Sequence, residues 1–252
     1  MKNQKPGMLS KLTKIEFKVW LRGKENIFFA IVLPLLLFLL TAYIFPPLPG
    51  HSRGYTISWM SSGGISLVLL VSSFTCLSMT IVEYKENRYL RRFATTPLSP
   101  SKFLLIELLV SFLFTLVALC VFFAVVFPAG MRVRGASPLL LIPPILLGWL
   151  TYSSFALMVA GLVKNSKTAY IIVIPFMMLI LFVSNFFMDI SYFPDAFQPV
   201  SKALLGTPLC TLLRKIILGS RFLPGEITKY TLTLIGWLVG TSLITLKTFR
   251  WE

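Results

Sequence analysis

Six long apolar stretches dominate the chain, and five of them carry no charged residue. They run Ile27–Phe45, Ile57–Val82, Phe103–Phe127, Leu139–Val163, Ala169–Met188 and Tyr230–Leu246, with Glu107 in the third as the lone exception. A helix rises about 1.5 Å per residue, so about 20 apolar residues cross the roughly 30 Å of hydrocarbon in a bilayer. Composition agrees. Of the 252 residues 56% are hydrophobic and 13% charged, where a soluble domain has about 25% charged. The chain reads as an all-α membrane protein with six transmembrane helices in a single domain over residues 1–252.

Orientation follows from where lysine and arginine collect, since short cytoplasmic loops are enriched in both. With the N-terminus inside, the inner segments hold sixteen of them and the outer segments eight. Five of those eight fall in the last outer segment, between Asp189 and Lys229, and long segments translocate largely regardless of charge. Both termini are expected in the cytoplasm, with the chain in the cell (inner) membrane. The net charge of +15 then serves the membrane lipid headgroups, and no nucleic acid is expected as a partner. Cys76, Cys120 and Cys210 are far apart and His51 is the only histidine, so no metal site is expected.

The segments between spans differ in kind. Residues 1–26 place Met8, Leu12, Ile15 and Val19 on one helical stripe, with Lys11, Lys14, Lys18 and Arg22 beside it. That pattern predicts an amphipathic leader helix in the interface, with Trp20 at headgroup level. The leader stays polar to Asn26 and the first apolar run is long enough to span, so no cleavable signal peptide is expected. Outer loops at 46–50 and 128–135 are short and rich in Pro and Gly. The segment 189–229 is longer and apolar but broken. Its stretch Ala203–Ile217 is too short to span and reads as interrupted at Gly206 and Pro208, which predicts a re-entrant or interfacial helical hairpin.

The chemistry that could power transport is sparse. Glu107 lies five residues past Lys102, near enough to the inner end to reach the interface or pair with a basic residue. A phosphate loop needs G-x-x-x-x-G-K-[ST] between a strand and a helix; Gly161–Thr168 lacks the second glycine and sits in a turn between spans. No nucleophile–base–orienter set and no spaced carboxylate pair is visible, so no catalytic residue is assigned. If ATP drives this protein, another chain hydrolyses it.

The remaining polar feature is an island of twenty residues, Glu83–Lys102, between spans two and three. Helix connections usually take about 2–8 residues. Acidic Glu83 and Glu86 precede Arg88, Arg91 and Arg92, with Tyr89, Leu90 and Phe93 between the charges. Tyr84–Phe93 predicts a short helix along the membrane, ended by Pro97 and Pro100. With Thr96-Pro97-Leu98-Ser99, this stretch resembles the type-2 membrane domain of ATP-binding-cassette exporters. That family reads roughly E-x-E-x-G-T-L-x-x-L-x-x-T-P-L-S. Glu86, Leu90, Thr96, Pro97, Leu98 and Ser99 match in register, Phe93 stands at a leucine position, Glu83 lies one residue ahead of the first acidic position, and Arg88-Tyr89 replaces the usual Gly-Thr. Pro208, Leu209 and Arg214, followed by Gly219, resemble the family's P-L…R…G stretch between spans five and six.

The resemblance implies a permease subunit of an ATP-driven exporter, paired with a second, identical or different, permease subunit and with two nucleotide-binding ATPase subunits. No cofactor is expected on this chain; ATP and magnesium belong on the ATPase. The short helix, with Tyr84, Glu86, Arg88, Tyr89, Leu90, Arg91, Arg92 and Phe93, is implied to dock into the ATPase. The turn Lys164, Asn165, Ser166 and Lys167 is implied as a lesser inner contact. Tyr43, Phe45, Phe182, Phe186 and Phe187, with Pro208 and Arg214, are candidates for a substrate path or outer gate. They suit a lipid-linked, glycan or hydrophobic drug-like cargo. The residues alone leave open a proton-coupled transporter or channel using Glu107, and a polytopic membrane enzyme.

Overall fold

The computed structural model describes residues 6–87, 100–135 and 137–248, with side chains from Ser10 onward apart from those of Pro100 and Ser101. Among the described residues every regular element is helical. A leader helix, Pro6–Arg22, precedes six helices long and apolar enough to span: Lys24–Ile44, Arg53–Glu86, Lys102–Val126, Pro138–Leu162, Ser166–Val183 and Glu226–Thr248. The end of the bundle carrying Glu86 and Ser166 is called the near end, and the opposite one the far end.

Span 2 is the axis of the bundle. It touches spans 1, 3, 4 and 5, and 89% of its most apolar window is buried. It starts at Arg53, four residues before the apolar run begins, with Ser52 Oγ capping the Tyr55 N–H at 3.3 Å. Its serines explain how a polar sequence is buried there. Ser58, Ser61, Ser66 and Ser72 donate back to the carbonyls of Gly54, Ile57, Ser62 and Val68 at 2.7–3.0 Å. Small hydroxyl-bearing residues satisfied this way let neighbouring helices approach closely. Span 6 packs chiefly on span 4, where Ser154 Oγ lies 2.7 Å from Thr241 Oγ1 and 2.8 Å from Ser242 Oγ.

Two spans are not uniform α-helices. Phe28–Val32 in span 1 and Leu70–Cys76 in span 2 widen to π geometry, and the two widened segments touch. Hydropathy is blind to such turns, because an inserted residue changes backbone bonding rather than apolar content.

Several expected boundaries are corrected. Span 5 stops at Val183, so Phe186, Phe187 and Met188 lie beyond its end rather than on it. The break in the hairpin falls at Leu204 and Leu205: Gln198–Ala203 ends before them, and Gly206–Leu218 is one uninterrupted helix. Pro208 sits in its first turn, where a missing N–H leaves no bond unmade. This 13-residue helix is about 20 Å long, too short to span. It packs chiefly against span 2.

Trp20 is not at an exposed interface. It is 1% exposed and meets the Phe114 ring edge-on at 5.4 Å, because the leader lies against span 3. Its inward face is Leu12, Glu16 and Trp20, while Ile15 and Val19 flank the basic stripe and stay exposed. Glu107 also departs from expectation. It is fully buried, and neither carboxylate oxygen has a hydrogen-bond partner among the described residues.

Candidate functional site

The near end is tied together by two consecutive residues of span 2. Lys85 Nζ donates to the carbonyls of Ala160 at 2.7 Å and Val163 at 3.1 Å, with Gly161 at 3.4 Å. These are last-turn carbonyls of span 4, which have no partner within their own helix. Glu86 accepts from the Ser166 backbone N–H at 2.9 Å and from the Ser166 hydroxyl. It therefore caps the first turn of span 5, where Asn165 Oδ1 also accepts from the Thr168 N–H at 2.8 Å. A cation meets the negative end of one helix and an anion the positive end of the next, both favourable with the helix dipoles. Span 2 thus clamps spans 4 and 5 at one point.

The sequence placed Tyr84–Phe93 in a separate helix. Tyr84, Lys85 and Glu86 instead form the last turn of span 2. Arg88, Tyr89, Leu90, Arg91, Arg92 and Phe93, with Thr96, Pro97, Leu98 and Ser99, lie outside the described residues. Tyr84 is engaged within the chain: its hydroxyl donates to Glu16 Oε2 at 2.7 Å and its ring meets Phe103 edge-on at 5.4 Å. The leader, span 2 and span 3 converge there. Of the inner-turn residues, Asn165 and Ser166 are held at the helix start, Lys164 and Lys167 are exposed, and Ser166 is joined directly to Glu86.

Exchanging Lys85 for Met together with Glu86 for Gln is expected to raise amide hydrogen exchange severalfold across residues 160–168, while the far end stays unchanged. Equal exchange in the variant and the parent protein would show that the clamp does not hold the turn.

The far end is organised around Arg214, which is 6% exposed. Its Nε donates to Ser62 Oγ at 3.1 Å, and that hydroxyl donates onward to the Trp59 carbonyl at 2.7 Å. Nη1 donates to Asn185 Oδ1 at 2.7 Å, and Nη2 to the carbonyls of Asn185 at 2.7 Å and Phe186 at 3.3 Å. The guanidinium carbon lies 3.6 Å from the centre of the Trp59 ring. Burial pulls the Arg214 pKa down, and among the described residues no carboxylate pairs with it; the ion pair seen there is Lys215–Glu226. Neutral acceptors and a ring face therefore stand in for water around this charge.

Close approach makes that arrangement possible. A Cβ built on Gly63 would lie 2.0 Å from the Phe186 carbonyl oxygen. Gly219, at φ 67°, closes the hairpin helix, and the Arg134 N–H donates to the Ile217 carbonyl at 2.7 Å beside it. Of the other predicted path residues, Phe186 and Pro208 are buried within this cap and Phe187 is half-buried. Tyr43, Phe45 and Phe182 are exposed at 52%, 56% and 70%. Arg53 Nη2 donates to the Tyr43 carbonyl at 3.1 Å.

The sequence pattern of ABC-2 type transporters matches residues 9–218. The chain belongs to the ABC-2 type transporter family. It is a permease, the multi-pass membrane subunit of an ABC transporter. ABC-2 members typically work with ATPase subunits. The matched region takes in the clamp and the Arg214 cap. No characterised protein matches the chain significantly.

Arg214, Glu86 and Ser166 stand out in the sequence, although their bonds do not, and Lys85, Asn185, Ser62 and Gly63 carry no such mark. A serine- and glycine-rich run inside a span was the available signal for the close approach.

Proposed function

We propose that this permease works in an ATP-driven exporter of the cell (inner) membrane, with both termini and the near end in the cytoplasm. Two ATPase subunits bind beneath a pair of permease subunits and carry the ATP and magnesium. The segment that follows Glu86, with Arg88 to Phe93, receives the ATPase. The clamp carries this reading: movement at that segment acts at once on spans 2, 4 and 5, because Lys85 and Glu86 join their ends. Coupling of this kind needs a rigid element that the nucleotide state can bias. Lys164–Lys167 forms the lesser contact beside it, and the Arg214 cap stands at the exit.

The test is co-purification. A tagged form of this chain is expected to retain its ATPase, and Leu90→Glu or Phe93→Glu to lose both the ATPase and ATP-dependent transport at unchanged membrane levels. Full transport and full ATPase recovery in both variants would overturn the assignment of that segment.

A further inference from the structure

Beside the two touching π segments opens a cleft of about 420 Å³, within the roughly 300–1,000 Å³ typical of small-molecule sites. The leader and spans 1, 2 and 5 contribute to it, with Trp20, Phe29, Met79 and Tyr170 among its walls. Two of the nine acidic residues of this strongly basic chain line it, Glu25 and Glu83. Both are exposed, and neither is in an ion pair with a described residue. Lys24 also lines the cleft.

A second observation is independent of the acids. Thr75 lies in the widened segment of span 2 and lines the same cleft. It is 3% exposed, and its hydroxyl has no partner among the described residues. Nearby Ser72 bonds back to the Val68 carbonyl at 2.7 Å. A buried hydroxyl left without a bond costs free energy unless something else satisfies it.

We propose that the cleft is a loading site for an amphipathic organic cation, an ammonium group on an apolar or aromatic body. The proposal rests on the export reading above and names the class of cargo. The carboxylates receive the ammonium, the Tyr170 ring adds attraction for a cation, and Phe29 and Met79 take the apolar body. Thr75 supplies a hydrogen bond at depth. The same chemistry is met by a free amphipathic amine and by a lipid with an amine headgroup.

The experiment titrates ethidium into the full-length protein in dodecyl maltoside micelles and follows its fluorescence. Saturable binding is expected, weakened about tenfold, or about 1.4 kcal/mol, by E25Q/E83Q and severalfold by Thr75→Val. Both acids are exposed and Thr75→Val keeps the side-chain shape, so these variants fold. The anionic dye calcein is expected not to compete. Competition by added phosphatidylethanolamine, but not phosphatidylglycerol, supports a lipid amine as the cargo; ethidium binding indifferent to both supports a free amine. Absence of saturable binding, equal affinity in E25Q/E83Q, or displacement by calcein overturns the proposal. No ATPase is present in the titration, so its failure leaves the coupling assignment standing, and loss of ATPase recovery leaves the cation site standing.

Discussion

Replacing Arg214 with alanine is expected to lower the thermal unfolding midpoint of the purified protein by about 10 °C. The substitution strands Asn185 Oδ1 and the Phe186 carbonyl, which Arg214 satisfies at 2.7 and 3.3 Å, and leaves the Asn185 carbonyl with only the weak Cys210 thiol donor at 2.9 Å. Each unsatisfied buried group costs about 1–3 kcal/mol. A combined loss of about 3–5 kcal/mol in a protein of this size corresponds to about 2–4 °C per kcal/mol. Arg214→Lys keeps the charge but not the planar fork of donors, and is expected to recover less than half of the loss. Scanning fluorimetry reads both, and a fall below about 2 °C for the alanine variant would mean that the cap does not depend on this side chain.

The second large effect is expected from Gly63→Val. Even the first side-chain carbon meets the Phe186 backbone, at 2.0 Å from its oxygen and 2.5 Å from its carbonyl carbon. Backbone cannot rotate away as a side-chain tip can, so the segment after span 5 must move. Overpacking of a core costs typically about 1–3 kcal/mol, and this displacement also pulls the Phe186 carbonyl off Arg214. The two substitutions therefore damage the same assembly. Combined, they are expected to destabilise less than the sum of the single variants, the signature of shared contacts. Strict additivity in a double-mutant cycle would place them in separate structures.

The number of spans was legible because apolar run length is a direct reading of bilayer thickness. The limits of each span were less so. Span 2 begins at Arg53 because a serine cap and back-bonded hydroxyls extend the helix through residues that lower the hydropathy. Span 5 ends early because the Asn185–Phe186 backbone bonds to Arg214, Thr207 and Cys210 instead of continuing its own ladder. Arg214 itself was legible through a family-like motif, but its role was not. Backbone carbonyls are among its main partners, and carbonyls leave no mark on a sequence. Lys85 was overlooked for the same reason. Glu86 and Ser166, eighty positions apart, were both singled out, yet nothing in a linear pattern joins them.

Span 2 is anchored at two levels, by Ser62 and Gly63 against the cap and by Lys85 and Glu86 against the neighbouring spans. Between these anchors, Leu70–Cys76 forms the wide segment in which the regular bond ladder is already interrupted. A helix turns about 100° per residue, so moving one residue into or out of a wide turn is a large rotation about the axis. A change of register between the two anchors would therefore fall in Leu70–Cys76, where the α ladder is already displaced.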